Sequence, residues 1–312
     1  MPANPYLSST DVSFGWDMTH PPLLTVDSGT IVTIDAPDCS NGQLEARPTV
    51  EAFRDMDLSQ LDPISGPIFV RGARPGDAIR VDILEIIPAD WGWSAIYPDT
   101  GLLQDEFSEH WFHRWDLSSG VSAHFGDRIR LPIEPMLGIV GCTPRTHRTL
   151  PSVPPHHGGG NMDMKFTRAG NAVILPVEVE GGLVGLGDPH AAQGDGEVGG
   201  SGIECAASFS VRLTVIPDAG LRSPEFDIRM PLERPASASA GYVATTGLGE
   251  SLYQAAQDAV AAMVTKIVKL TGITRTEAYS LCSLAVDLRI SEAVNEPTYM
   301  VSAFLPRDIL IG

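Results

Sequence analysis

Residues 78–87 read AIRVDILEII, and this stretch decides the fold class. Apolar and polar residues alternate along it with a period of two, which is typical of a half-buried β-strand. The turn residues ARPGD at 73–77 come directly before it and give the strand a defined start. Similar strand patterns occupy 30–35, 128–133, 172–179 and 208–216. The sequence up to about Pro235 therefore predicts strands and turns.

The composition agrees with a chain rich in turns. Of the 312 residues, 31 are glycine and 25 are proline, which is heavy for a helical protein but below low-complexity levels. No alternation of strands with helices is visible, which argues against a doubly wound parallel fold. The four cysteines lie far apart without a Cys-x-x-Cys pair, which favours reduced thiols over a disulfide framework.

The charge balance excludes several kinds of partner. The chain has 39 acidic and 21 basic residues, and its formal net charge is −18. A field of this sign repels phosphate, so binding to nucleic acid or to an anionic membrane surface is disfavoured. The N-terminal residues resemble no signal peptide, and no apolar run is long enough to span a bilayer. We therefore expect a cytoplasmic protein.

The hydrophobic period changes in the C-terminal part. Between Glu250 and Leu270 apolar residues recur at spacings of three and four, which predicts an amphipathic helix that ends near Gly272. Thr274 to Glu277 form a capping-box pattern, which predicts a second helix from Arg275 to Asp287. A last strand, from Tyr299 to Leu305, is expected to return to the sheet.

These patterns together predict an α+β fold that is predominantly β, with sandwich-like or barrel-like sheets and a C-terminal pair of α-helices. We expect a single domain over residues 1–312. Within it, the expected parts are a β-rich catalytic part at 1–235, a helical pair at 248–290 and a returning strand at 297–307.

Carboxylates and glycines concentrate between residues 156 and 204. The segment includes HHGGGNMD at 156–163 and GDPHAAQGDGE at 187–197, and it closes with Glu204. Carboxylates close together repel one another unless a cation lies among them, and glycine lets the backbone approach closely. Asp and His side chains suit zinc or another divalent metal. Such a site predicts a metal-bound water that a nearby glutamate deprotonates.

Other signatures of chemistry are missing from the sequence. It contains no HExxH, no G-x-S-x-G, no P-loop and no EF-hand spacing. A solvated acidic turn stays the alternative explanation for any one of the carboxylates. Four tryptophans lie within residues 90–126. This loop-rich aromatic segment either walls a pocket or an interface, or packs over the sheet.

At these residues the sequence resembles the acetamidase/formamidase family. The resemblance covers most of the chain and is most specific in GNMD at 160–163 and in GDPHAAQGDGE at 187–197. It implies hydrolysis of short aliphatic amides, such as formamide and acetamide, to a carboxylate and ammonia. It also implies a β-rich fold with a C-terminal helical element, and a divalent metal, with zinc favoured and calcium as a further candidate. By analogy we expect a homo-oligomer, with a dimer favoured.

The resemblance also carries site residues over to this chain. The implied metal-site positions are Asp163, Asp188 and His190, with Glu204 as a fourth ligand and Asp38 as an early acidic residue that reaches the site. Glu197 is expected to be the general base, ahead of Asp195. Asn161 and neighbouring glycine amides are expected to polarise the substrate carbonyl.

Two other functions stay open at this point. One is hydrolysis of a larger amide, a carbamate or a cyclic amide on the same scaffold, which the four tryptophans favour. The family pattern also often has His-x-x-Trp near the start, where this chain has FGWD at 14–17. The other is a non-catalytic β-rich module that binds calcium through its acidic turns. Asp-x-His suits calcium poorly, because calcium prefers oxygen ligands.

Overall fold

The structure, a computed structural model, describes residues 4–229, 240–295 and 297–311. The strands in this part are β1 (Tyr6–Leu7), β2 (Val12–Ser13), β3 (Leu24–Asp27), β4 (Thr30–Ala36), β5 (Ile64–Arg71), β6 (Ala78–Pro88), β7 (Trp91–Ile96), β8 (Trp111–Asp116), β9 (Ser122–Phe125), β10 (Ile129–Pro132), β11 (Met136–Cys142), β12 (Gly159–Asn161), β13 (Ala172–Pro176), β14 (Val184–His190), β15 (Ala207–Ile216), β16 (Glu225–Asp227), β17 (Tyr242–Gly249), β18 (Asp287–Glu292) and β19 (Tyr299–Pro306). The helices are α1 (Val50–Arg54), α2 (Leu252–Thr271) and α3 (Arg275–Ala285). No described helix is both long and apolar enough to cross a membrane.

Two six-stranded sheets pack against each other as a sandwich. The first has the order β1-β4-β15-β6-β13-β16, and the second has the order β12-β11-β14-β5-β2 with β3 paired to β5. Buried side chains of both sheets share one core, which includes Ile34, Val81 and Phe209 from the first sheet and Val140 and Leu186 from the second. The predicted mainly-β fold class is confirmed.

The strand predicted at 78–87 runs from Ala78 to Pro88 in the middle of the first sheet. Its alternation of buried and half-buried side chains holds as far as Ile83 and is lost from Leu84 onward. At that point the register with β15 shifts between Ser210 and Val211. An extra residue in one strand turns the following side chains away from their expected face, which explains why Leu84 is exposed.

The C-terminal helices form where the sequence predicts them. Ser251 caps α2, and Gly272 ends it in the left-handed conformation with φ at 75°. Thr274 caps α3 through the predicted capping box. The helix α3 ends at Ala285, two residues earlier than predicted, because β18 begins at Asp287.

The last strand does not return to either sheet of the sandwich, so that expectation was wrong. The strand β19 lies between β17 and β18 in a separate three-stranded sheet, and α2 packs on this sheet. The strands β17 and β18 were not predicted from the sequence, because their short polar-apolar patterns lie beside strong helix signals. The boundary that was predicted at Pro235 lies outside the described residues.

Candidate metal centre

A cavity of about 810 Å³ lies beside the C-terminal end of β14. Most of its polar residues come from the carboxylate-rich segment at 156–204. Much of its wall is apolar, contributed by Phe53, Met56, Leu58, Leu61, Trp93 and Tyr97. A cavity of this shape and volume is typical of a small-molecule site, where an apolar wall excludes water around a few polar groups.

The strand β14 delivers two predicted ligands to the same side. Asp188 and His190 lie two residues apart at the C-terminal end of β14, and their side chains meet in the cavity. His190 Nε2 lies 3.2 Å from Asp188 Oδ1 and 2.9 Å from Glu204 Oε2. Glu204 reaches this position because its backbone forms isolated β-bridges with both His190 and Trp93.

The second ring nitrogen of His190, Nδ1, contacts the side-chain amide of Gln193. His190 Nδ1 lies 2.6 Å from Gln193 Oε1, and Gln193 Nε2 donates to the backbone oxygen of Asp163 at 2.5 Å. Asp163 Oδ1 is 4.0 Å from His190 Nε2, and Glu197 Oε1 is 4.0 Å from His190 Nδ1. Outer partners of this kind orient a histidine ligand and fix its tautomer. The amide of Gln193 therefore links β14 to the segment that carries Asp163.

The structure gathers two donor sets in this cavity, and together they include all four main predicted ligands. One set comprises Cys39, Asp188 and Glu204, and the other comprises Asp163, His190 and Glu197. Within each set the donor atoms lie within 4.8 Å of one another. Asp163 Oδ1 is buried without a hydrogen-bond partner, and Glu204 Oε2 is buried with His190 Nε2 at 2.9 Å. Because a buried carboxylate oxygen is costly without a partner, these residues fit a divalent cation.

The pKa values of these side chains in the folded protein also favour a bound cation. Burial, with the charges of Asp188 and Glu204, raises the pKa of Asp163 to about 7. Burial also raises the pKa of Glu204, and it raises the pKa of Glu197 well above its usual range. Burial alone would lower the pKa of His190, but the charges of Glu204 and Asp188 outweigh it and raise that pKa. A bound cation would let the carboxylates stay ionised at neutral pH.

Two residues of the cavity were missed in the sequence. Cys39 directly follows Asp38, which was the predicted residue of that acidic segment, and no recognisable motif surrounds Asp62. The backbone joins them, because the amide of Asp62 donates to the carbonyl of Cys39 at 2.8 Å. Burial and the charges of Asp188 and Glu204 raise the pKa of Asp62 to about 8. Asp62 is thus a further carboxylate whose pKa is raised by the carboxylates of the two donor sets.

Four of the cavity carboxylates have left-handed backbone conformations. The φ angles are 51° at Asp62, 44° at Asp163, 52° at Asp188 and 40° at Glu197. Residues with a Cβ adopt this region rarely, and the conformation persists only where the surrounding structure enforces it. The backbone is therefore strained at these four positions, and the strained conformations direct the four side chains into the cavity.

Asp38 is not brought into either donor set. Asp38 Oδ1 accepts hydrogen bonds from Ser40 Oγ at 2.7 Å and from the amide of Gly42 at 2.9 Å. Its other oxygen accepts from Trp93 Nε1 at 2.7 Å. Asp38 lines a neighbouring cavity, of about 760 Å³, and Trp93 lines both cavities. The carboxylate thus positions the indole that forms part of the wall.

Asp195 lines the cavity but is engaged by a buried cation. Lys165 Nζ lies 2.9 Å from Asp195 Oδ2 and 2.7 Å from Asp287 Oδ1. Glu197, by contrast, belongs to a donor set and lies close to His190. An ion pair with lysine stabilises the ionised form of a carboxylate and makes it a weaker base. Glu197 is therefore better placed than Asp195 to accept a proton in this cavity.

The predicted carbonyl-polarising residue and the tryptophan segment have distinct positions. Asn161 ends β12 and lines the cavity, and its Oδ1 is buried without a hydrogen-bond partner. Trp93 lines the cavity as well, while Trp115 is buried in the core that the C-terminal helices cover. The aromatic segment thus does both things that the sequence left open: one part walls the cavity and another part packs in a core.

The C-terminal helix α3 holds the loop that carries Glu197. Tyr279 Oη donates to the carbonyl of Val198 at 2.5 Å, and Ser283 Oγ donates to the carbonyl of Ser201 at 2.6 Å. The carbonyl of Ser283 accepts from the amide of Gly194 at 2.8 Å. These contacts lie on both sides of Glu197, so α3 fixes the path of the loop and with it the position of the carboxylate.

We expect the stability of the metal-free protein to fall as the pH rises from about 4 to about 8. The pKa of Asp62 is raised to about 8 and that of Asp163 to about 7, so the folded state binds more protons than the unfolded state in this window. Melting temperatures of chelator-treated protein across this range would show the decline. Asp62→Asn should make the decline with pH shallower, and the exposed Asp55→Asn should not. An unchanged slope in Asp62→Asn would show that the raised pKa of Asp62 does not cause the decline.

Gly138→Ala is expected to weaken metal binding by roughly 10–100-fold, the loss typical of outer-shell changes. Gly138 lies in β11, and a Cβ there would overlap Asp188 Oδ2 and lie 2.6 Å from Asp163 Oδ1. Titration of apo-protein with Zn²⁺ measures the change. Gly249→Ala on β17 is the control for an added methyl group, because its Cβ would approach only Ala255 and Gln254 of α2 and no residue of the donor sets. Equal affinities in the two variants would refute the expected clash.

Comparisons with known proteins identify the family of this chain. The sequence profile of the Acetamidase/Formamidase family matches residues 9–152 and 145–311. The formamidase of Methylophilus methylotrophus is 26% identical over 94% of this chain and 88% of its own length. Among solved structures, a gamma lactamase from Delftia acidovorans superposes with a TM-score of 0.89 at 24% identity, covering 97% of this chain and 90% of that one. A predicted acetamidase/formamidase from Thermoanaerobacter tengcongensis has a TM-score of 0.69 at 30% identity, covering 97% and 96%. The resemblance seen in the sequence is confirmed, and the chain belongs to the acetamidase/formamidase family.

Proposed function

We propose that this protein hydrolyses the C–N bond of small aliphatic amides, formamide and acetamide first among them, to a carboxylate and ammonia. One observation carries the proposal. Two donor sets of carboxylates, an imidazole and a thiol converge in a cavity, and one of their carboxylate oxygens, Asp163 Oδ1, is buried there without a hydrogen-bond partner. In a family named for acetamidases and formamidases, such a centre supports metal-assisted amide hydrolysis.

The chain's own residues have separable roles in this reaction. Asp163, Asp188, His190 and Glu204 would hold the divalent metal, for which we propose zinc. When bound, such an ion supplies a Lewis acid that polarises an amide carbonyl and lowers the pKa of water. The amide nitrogen of Asn161 can donate to the carbonyl oxygen of the substrate. The apolar wall, with Phe53 and Trp93 among its residues, excludes bulk water from the reacting groups.

Glu197 is the residue best placed to move protons. Its carboxylate lies at the cavity, within the donor set of Asp163 and His190, and α3 fixes its loop. As general base it takes a proton from the attacking water, and as general acid it delivers that proton to the leaving nitrogen. The products are then the carboxylic acid, which ionises at neutral pH, and ammonia.

Glu197→Gln is expected to lower kcat by roughly 10²–10⁴-fold, because glutamine keeps the shape of the side chain but cannot carry a proton. Ammonia release from formamide and acetamide, measured at saturating metal, checks this. The exposed Glu180→Gln is the matched control and should keep full activity. Wild-type turnover by Glu197→Gln would remove it from the role of base.

The volume of the cavity favours a second candidate, a larger or cyclic amide. A cavity of about 810 Å³ far exceeds the space that formamide or acetamide needs, and its aromatic wall suits an apolar ring. The solved gamma lactamase also shares the fold. A panel of formamide, acetamide, longer aliphatic amides, carbamates and lactams, compared by kcat/KM, separates the candidates. Product detection must be by carboxylate as well as ammonia, since a lactam releases no ammonia.

The same measurements test the calcium-binding alternative. A non-catalytic module predicts no turnover of any amide and stabilisation by Ca²⁺. Its donors would be oxygen atoms, whereas these donor sets contain an imidazole and a thiol. Elemental analysis of the purified protein, combined with the amide panel, would overturn the proposed function if it found no metal requirement and no hydrolysis.

A further inference from the structure

The thiol of Cys39 belongs to the donor set of Asp188 and Glu204. Its sulfur and one carboxylate oxygen from each of these residues all lie within 4.8 Å of one another. All three side chains line the same cavity. Because the carbonyl of Cys39 accepts the amide of Asp62, the backbone at this cysteine is tied to another cavity residue.

A second observation indicates a ligand at this position. Glu204 is 2% exposed, and Glu204 Oε1 accepts the amide of Gly202 at 2.7 Å. Glu204 Oε2 is buried as well, and it faces His190 Nε2 at 2.9 Å. Asp188 is also buried, at 3% exposure. Two buried carboxylates share one imidazole beside a thiol, so the negative charge exceeds what His190 can balance, and a cation among these donors would compensate it.

We propose that Cys39 is a thiolate ligand of the metal, bound together with Asp188 and Glu204. His190 Nε2, at 3.2 Å from Asp188 and 2.9 Å from Glu204, is the adjacent nitrogen donor. The inference rests on the proposed function for the presence of a metal, and it adds the residue that selects its class. A sulfur donor excludes calcium as the ion at this position and favours zinc or another borderline divalent metal.

The binding step is a ligand exchange without a change of oxidation state. The S–H bond of Cys39 breaks, its proton passes to solvent, and both electrons stay on sulfur and form the bond to the metal. Metal uptake is therefore accompanied by release of the thiol proton. This requirement makes affinity dependent on pH and makes the thiol unavailable to alkylating reagents while the ion is bound.

Cobalt substitution tests the proposal by spectroscopy. Apo-protein reconstituted with Co²⁺ is expected to show a near-ultraviolet sulfur-to-cobalt charge-transfer band, and Cys39→Ser is expected to lose it. Cys282→Ala is the matched control, because Cys282 is buried in α3 and belongs to neither donor set. Zinc affinity of Cys39→Ser should fall by at least roughly 10–100-fold, the loss that even outer partners cause. Absence of the band in the wild type, or its persistence in Cys39→Ser, would overturn the proposal.

A second measurement uses the wild-type chain and does not depend on the folding of a variant. Alkylation of Cys39 by iodoacetamide, followed by peptide mass spectrometry, is expected to be slow in zinc-loaded protein and fast after chelation. Equal rates in both states would refute thiolate ligation. Metal-dependent amide turnover without the cobalt band would leave the proposed function intact and remove Cys39 as a ligand. The band without turnover of any amide would do the reverse.

Discussion

His190→Ala is expected to abolish metal retention and to lower amide hydrolysis by roughly 10²–10⁴-fold. The imidazole is 1% exposed and contacts Asp188 and Glu204, with Asp163 and Glu197 at 4.0 Å. Alanine removes the nitrogen donor and the positive partner of these carboxylates together. The remaining negative charges repel one another, and the cavity loses both its ligand geometry and its organisation.

Two readouts distinguish loss of the centre from loss of the fold. Elemental analysis after gel filtration reports the metal, and circular dichroism reports the β-rich secondary structure. His124→Ala is the control, since His124 is exposed on β9 and belongs to neither donor set. A His190→Ala protein that kept wild-type metal content and turnover would exclude this histidine from the centre.

Lys165→Met is expected to destabilise the protein by about 3–5 kcal/mol, the cost of breaking a buried ion pair by removing one partner. Lys165 is 6% exposed, and its ammonium bridges Asp195 and Asp287. Methionine keeps the length of the side chain but leaves Asp287, which is 1% exposed, without its cation. Urea unfolding curves measure the change in the free energy of unfolding.

A double-mutant cycle shows whether the loss comes from the ion pair. In the background Asp287→Asn, which removes the buried charge, Lys165→Met should cost clearly less. Lys266→Met on the exposed face of α2 is the control for the substitution itself and should change stability little. An equal cost of Lys165→Met in both backgrounds would show that packing, and not charge, explains the effect.

Much of the fold followed from local patterns. Alternation predicted β6 and β15 because one face of each strand packs into the sandwich core, and the capping box placed the start of α3 at Arg275. The separate C-terminal sheet was missed, because pairing between β17, β18 and β19 depends on contacts distant in sequence. A local pattern shows that a strand forms but not which partner it joins.

The candidate site was predicted in part for a related reason. Asp163, Asp188, His190 and Glu204 lie within one glycine-rich segment, so their density made them visible. Cys39 and Asp62 come from far upstream and meet the others only through the fold. Asp38 had a stronger sequence signal than Cys39 or Asp62, yet its carboxylate accepts a hydrogen bond from the indole of Trp93. Chemical type alone does not show which way a side chain points.

The hold of α3 on the loop of Glu197 also sets an order of events during translation. The contacts of Tyr279 with Val198 and of Ser283 with Ser201 span 81 and 82 positions of sequence. The ribosome therefore releases Asp163, Asp188 and His190 well before the helix that holds the loop of Glu197. A nascent chain is expected to bring these three side chains together first and to fix the position of Glu197 only later, after α3 has been synthesised and has docked.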